Sequence, residues 1–313
     1  ATAARLMGLI EKGARKIGVD GYPGAPIETL VNCMVQKAWG RSLKFVNAAA
    51  LLKAPEEISA LLKPYLPEDR EADPVLLYGR RYLNGYAGLH DADRVNALKE
   101  EMEASQIPVV VYGRGALCEE LAGLYDARVW MDVTPRTAVL NFKYGRYKNL
   151  GANEALSYAL GMRRNYYVDF EIAVDLRWKL IKENRLDYYI SADVPEQMWM
   201  LPYAALKTLF RELNAKPFRC RPVYLEGVWG GFFMHRLRGL PKEMRNCAWI
   251  FDMIPMEVSL AARWENRELE TPFFTFVQAM GVELLGKRTM EEFGGYFPVR
   301  FNYDDTYHAS GNM

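Results

Sequence analysis

Histidine is scarce in this sequence, with only three in 313 residues, and His90, His235 and His308 are too far apart to form an HxH or HxxxH pair. Without sequence-adjacent metal ligands, packing in the core or on the surface is the expected role of all three. The four cysteines, Cys33, Cys118, Cys220 and Cys247, show no CxxC spacing and sit among apolar neighbours. That pattern favours buried reduced thiols over disulfides or a cysteine metal cluster. Neither sign of charge is in excess: 40 Lys and Arg against 39 Asp and Glu leave a net charge of +1. No long-range field favours nucleic acid or an anionic membrane as a partner. No apolar run reaches the ~20 residues that span a bilayer, and the first residues do not form a secretory signal. Internal repeats and low-complexity segments are absent too, so a cytoplasmic enzyme or enzyme fragment is the expectation.

Half of the residues are apolar, enough for substantial cores and about two domains. The chain is organised around Lys16 to Leu30, KIGVDGYPGAPIETL. Ile17, Val19 and Asp20 read as the end of a short buried strand, Gly21 to Pro26 as a tight turn, and Ile27 to Gln36 as the start of a helix. Such a junction is an anion site, because free backbone N–H groups and the helix dipole converge on it, and Gly21 and Gly24 are the candidate anion-binding residues. A working phosphate-binding loop, GxxxxGK[ST], also needs a lysine and a magnesium-binding hydroxyl. Counting from Gly21, Pro26 replaces the second glycine, Ile27 the lysine and Glu28 the hydroxyl. Proline removes an N–H, and Glu28 puts negative charge where phosphate would lie.

Around this junction the pattern alternates. Helices are predicted over Ala3 to Lys12, with Leu6, Leu9 and Ile10 packed on the sheet, and over Pro55 to Leu62, Arg94 to Met102, Leu117 to Leu124, Pro135 to Arg146, Val168 to Lys182 and Pro202 to Leu213. Strands are predicted at Leu43 to Val46, Pro74 to Tyr78, Pro108 to Tyr112, Arg128 to Asp132 and, last in this half, Tyr188 to Ser191. Pro64 to Pro74 reads as a solvated loop. Uninterrupted apolar strands between helices predict an α/β fold, a parallel sheet covered on both faces. From Phe218 onward strands dominate: Phe218 to Tyr224, Cys247 to Ile254, Val258 to Trp264, Pro272 to Val277 and Pro298 to Tyr303. The domain boundary is therefore placed near Pro217, giving 1–217 and 218–313.

Two resemblances follow. IPVVVYGRGALCEELAGLYDARVWMDVTPRTAVLNF and RRNYYVDFEIAVDLRWKLIKENRLDYYISAD resemble the uridine kinase-like branch of P-loop kinases, over roughly Lys16 to Ala192. In those kinases the second strand ends in a carboxylate base; here the matching stretch is Phe45-Val46-Asn47-Ala48-Ala49. With lysine, magnesium hydroxyl and base all missing, the resemblance implies a degenerate kinase-like domain, a pseudokinase. RPVYLEGVWGG, CAWIFDMIP and FPVRFNYDDT are similar to the opening of the cupin of class I mannose-6-phosphate isomerases, giving a β-rich partial cupin over 218–313.

The second resemblance implies an aldose phosphate to ketose phosphate isomerase of carbohydrate metabolism in the full-length protein, with a sugar phosphate as partner and zinc as cofactor. Its zinc ligands would lie beyond Met313, so the fragment is expected to hold no metal and to be inactive. Trp229, Gly230 and Gly231 are the candidate pocket lining. Arg300 stands two residues before Asn302, which takes the place of the family's lysine, and so shares a strand face with it and supplies the substrate-binding cation. The family's glutamate position is Ile250. Asp304-Asp305 reads as a turn, and Arg136, Arg146, Arg163 and Arg164, where related kinases carry lid arginines, read as a solvated helix face. Both chain ends look cut from a longer protein, and unpaired sheet edges in such a fragment would favour a homo-oligomer. Two alternatives remain open: an active nucleoside or sugar kinase, and a non-catalytic metabolite-binding or regulatory module.

Overall fold

Two glycine-free apolar runs, Val109 to Val111 and Val129 to Met131, are at most 1% exposed, and the sheet is assembled around them. The structure is a computed structural model; it describes residues 1–74, 76, 79–133, 135–214, 260–264 and 267–271. The chain divides into two compact units, Ala1–Val133 with Thr137–Leu206, and Thr134–Arg136 with Lys207–Met313.

In chain order the first elements are α1 (Thr2–Glu11), β1 (Lys16–Gly21), α2 (Ile27–Lys37), β2 (Lys44–Asn47), a 3-10 turn at Ala48–Leu51, α3 (Pro55–Leu62) and α4 (Ala92–Ala104). β3 (Val109–Tyr112), α5 (Glu119–Ala122), β4 (Ala127–Asp132), α6 (Pro135–Lys143), α7 (Tyr158–Arg164) and a π turn at Asn165–Asp169 come next. α8 (Phe170–Lys182), β5 (Tyr188–Ser191), β6 (Trp199–Pro202) and α9 (Tyr203–Asn214) follow, then β7 (Leu260–Trp264) and β8 (Arg267–Thr271).

The main sheet has the order β2-β3-β1-β4-β5-β6. The first five strands are parallel, with Ile17 opposite Val110 on one side and Ala127 on the other, and β6 closes the edge antiparallel to β5. This is the α/β arrangement, a mostly parallel sheet alternating with helices, expected from the alternation of elements. β1 and β3 are covered on both faces, which is why their residues need no polar alternation. In the second unit, β7 and β8 pair antiparallel, Leu260 opposite Thr271.

Local signals account for several boundaries. α3 starts at Pro55, whose fixed φ and missing N–H suit a first helical turn. α4 is capped by Asp91, whose carboxylate accepts from Asp93 N and Arg94 N at 3.0 and 3.2 Å. α1 buries Leu6 and Met7, packs against α2, and bonds toward the β6 edge through Thr2 Oγ1 to Met198 O at 2.7 Å and Arg5 to Met200 O at 3.1 Å.

Four elements depart from expectation. The helix expected over Leu117 to Leu124 is only Glu119–Ala122, because the N–H groups of Gly115 and Leu117 bond to the Asp20 carboxylate instead of entering a helix. The helix expected over Pro135 to Arg146 stops at Lys143. The helix expected from Val168 begins at Phe170, preceded by α7 and the π turn, whose buried Arg163, Arg164, Asn165 and Asp169 hide the apolar period. Tyr188–Ser191 is not the last strand of the sheet, since β6 joins it at an edge where Pro202 is tolerated. The expected strand at Pro74 to Tyr78 falls largely outside the described residues, as do those at Phe218 to Tyr224, Cys247 to Ile254, Pro272 to Val277 and Pro298 to Tyr303. Among the described residues, no helix is long and apolar enough to cross a membrane.

Candidate functional site

Neighbouring β1 and β4 send the chain in opposite directions, β1 toward β2 and β4 toward β5. The crevice outside the C-terminal ends of such strands is where open α/β sheets bind ligands. Gly21 ends β1 there, and a Cβ at this position would lie 2.5 Å from the Met131 carbonyl oxygen of β4. That same oxygen accepts the Tyr22 N–H at 2.9 Å, so glycine is required by the close approach of two backbones. Gly24 adopts φ +85°, and a Cβ on it would meet the Tyr147 ring at 3.0 Å and Ala138 Cα at 3.2 Å.

The turn is thus held against its own chain. Asn141 of α6 donates to the Gly24 carbonyl at 2.9 Å and accepts from Arg146 at 2.9 Å. Tyr22 stacks on Phe170, with centroids 5.2 Å apart and planes at 16°, and lies under the Arg177 guanidinium at 5.5 Å. α2 opens at Pro26 without a side-chain cap, and Glu28 stands in its first turn. Asn47, at the end of β2, donates from Nδ2 to Glu28 Oε1 at 3.1 Å, while its Oδ1 accepts the Ala49 N–H at 2.9 Å. The end of β2 and the first turn of α2 are therefore bonded to each other.

Two buried carboxylates flank the turn. Asp20 accepts backbone N–H groups from Gly21 at 2.7 Å, Gly115 at 3.0 Å and Leu117 at 2.9 Å. Burial pushes its carboxyl up to about 7, against the pull of those three donors and of Arg114. Asp132, at the end of β4, receives Arg177 Nη1 at 3.1 and 2.8 Å and the Tyr189 hydroxyl at 3.2 Å. Burial raises its carboxyl as well, with Arg177 opposing.

A third carboxylate anchors the loops above. Asp169 Oδ2 accepts from Asn149 Nδ2 at 3.1 Å, Leu150 N at 2.9 Å and Arg114 at 3.3 Å. Arg114 also donates to Lys148 O at 2.7 Å. Arg164 pairs with Asp169 at 4.0 Å and donates to the Leu150 carbonyl, and burial lowers the affinity of its guanidinium for a proton.

The structure thus brings Gly21 and Gly24 into one turn. Trp229, Gly230, Gly231 and Arg300 lie outside the described residues, as do Asp304, Asp305, His235 and His308. Arg163 and Arg164 are 6% exposed and not on a solvated face; Arg163 donates to Pro67 O at 2.7 Å, and Arg164 donates to the Leu150 carbonyl and pairs with Asp169. Arg146 is held by Asn141, and the side chain of Arg136 is outside the described residues. Cys118 is buried as expected, whereas Cys33 is exposed, on the outer side of α2. The network of Asp20, Arg114 and Asp169 is not legible in the sequence. Its trace there is a charged residue between two glycines at Gly113-Arg114-Gly115, and an Arg-Arg-Asn run ahead of the apolar helix α8.

Residues 3–215 match the family described as Domain of unknown function (DUF8485). The chain belongs to the DUF8485 family. No curated protein matches it. Among solved structures, the DUF8485 chain is similar to a protein of Silicibacter sp. TM1040 described as a fructose transport system kinase. That likeness has 15% identity and a TM-score of 0.37 over 56% of this chain and 94% of the other. It is also similar to mouse sulfotransferase SULT7A1 complexed with PAP, at 10% identity and a TM-score of 0.33, over 93% of this chain and 82% of that one. In this DUF8485 chain β1, the glycine turn and α2 form one junction, and the side chains around it bond to one another.

Proposed function

We propose that the first unit is a kinase-like scaffold without phosphoryl-transfer activity, carried ahead of a sugar-phosphate isomerase in a cytoplasmic protein. The observation that supports the first part is the 3.1 Å hydrogen bond between Asn47 and Glu28. Phosphoryl transfer needs a base for the substrate hydroxyl and a cation beside the outer phosphates. An amide cannot serve as that base, and Glu28 adds negative charge at the helix N-terminus, where phosphate would need positive potential. Asn141 and Tyr147 fill the space against Gly24.

The isomerase part rests on the likeness of Arg221 to Gly231, Cys247 to Pro255 and Phe297 to Thr306 to the opening of a cupin. In it, Trp229, Gly230 and Gly231 would line the sugar-phosphate pocket, Arg300 would hold the phosphate, and zinc would supply a Lewis acid for the sugar carbonyl. Calorimetry with Mg-ATP and an assay on mannose 6-phosphate, using the chain extended past residue 313, test the two parts separately. A flat Mg-ATP titration with chelator-sensitive isomerisation is expected. Saturable Mg-ATP binding with phosphoryl transfer would overturn the first part, and an inactive zinc-loaded protein the second.

A further inference from the structure

His90, Cys118 and Glu120 come from two separate segments, the residue before the Asp91 cap of α4 and the start of α5. Their ligand-capable atoms all lie within 4.8 Å of one another. His90 is 4% exposed and Cys118 2%, while Glu120 is half-buried. Among the described residues, neither His90 ring nitrogen has a hydrogen-bond partner. A neutral imidazole carries one donor and one acceptor, and leaving either unmet in the interior forfeits the hydration it had in the unfolded chain. An interior histidine held without partners therefore needs a reason.

The ring is fixed in place. It stacks on Tyr86 with centroids 5.4 Å apart, the His90 backbone N–H bonds the Tyr86 carbonyl at 2.9 Å, and the same backbone bridges to Leu52. Gly115 leaves room for it, since a Cβ there would come within 2.7 Å of Nε2. Cys118 is equally constrained: its N–H bonds Gly115 O at 3.1 Å and its carbonyl accepts Leu121 N at 3.0 Å.

We propose that His90, Cys118 and Glu120 form a site for a single divalent metal ion of the zinc class, with a fourth position open on the Glu120 side. Nitrogen, sulfur and carboxylate donors select a borderline-soft ion over magnesium or calcium, which take oxygen ligands. Donors placed ~2.0 to 2.3 Å from zinc stand about 3 to 4 Å apart, so the three groups need to draw together by only about an ångström. A thiolate, a carboxylate and a divalent cation sum to zero charge, which suits a buried position. The ion takes one imidazole nitrogen as ligand and displaces the thiol proton, which leaves to solvent. In the metal-free protein the Cys118 thiol interacts with Glu120.

This site is separate from any zinc of the isomerase reading, whose ligands would not include these residues. The test uses the full chain, stripped with a chelator and titrated with Co2+. Binding of one ion with a thiolate-to-cobalt charge-transfer band, reversed by Zn2+, is expected. The band is lost in Cys118→Ser and His90→Gln and kept in Cys33→Ser. Glu120→Gln, a half-buried position that tolerates change, weakens zinc at least tenfold in competition with a chromophoric chelator, so the proposal is tested even if the two buried variants do not fold. No metal uptake by the stripped wild type, an unchanged band in a folded Cys118→Ser, or unchanged affinity in Glu120→Gln would each overturn it.

Discussion

Arg177 and Asp132 face each other with no solvent exposure on either side chain, one guanidinium nitrogen lying 2.8 and 3.1 Å from the two carboxylate oxygens. The pair joins α8 to the end of β4, and the Tyr22 ring lies under the same guanidinium. A charge buried in this way is tolerable only while its partner is present. Arg177→Met alone leaves the carboxylate without its cation and is expected to cost about 3–5 kcal/mol in urea unfolding. Asp132→Leu together with Arg177→Met removes both charges, and is expected to recover most of that loss. A double variant as unstable as the single one would show that the pair itself, rather than the orphaned charge, carries the stability.

Asp20 is expected to titrate near neutrality, because burial lifts its carboxyl from the ordinary 3.8 to about 7. Between those values the folded chain holds a proton that the unfolded chain has released. Its contribution to stability is therefore complete below pH ~4 and is lost as pH rises through ~7, about 4 kcal/mol in all. Carboxyl-carbon NMR of the native protein reads the midpoint directly. Unfolding at several pH values, wild type against Asp20→Asn, reads the sign. A midpoint near 4, or a wild-type advantage that grows with pH, would show that the three backbone donors outweigh burial.

Gly21 and Gly8 are expected to answer alanine in opposite directions. Gly21→Ala drives a methyl against the Met131 carbonyl, which cannot swing aside without losing the Tyr22 bond, and should destabilise by about 1–3 kcal/mol. Gly8 lies inside α1, and an alanine methyl there would meet nothing within 4 Å, so Gly8→Ala should stabilise by up to about 1 kcal/mol. Shifts of urea midpoint in the same direction would contradict the close approach of β1 and β4.

The α/β class is legible in the sequence, because each central strand carries its own signal. The β-branched run ending at Tyr112 has no polar face to expose, so it had to be buried on both sides. The glycine turn at Gly21 to Pro26 announces itself in the same way, through backbone constraints that act within a few residues. α7, the π turn and β6 were hidden, since buried arginines bonded to carbonyls and a proline on an edge strand look like surface when read locally. The surroundings of the turn come from contacts distant in the chain. Asp20 takes two of its three backbone partners from 95 and 97 residues away, and His90 meets Cys118 and Glu120 across the β3 segment. A lone histidine and a lone cysteine carry no spacing signal; parallel strands joined by long crossovers bring such residues together, so their chemistry is set by strand order rather than by neighbours in the chain.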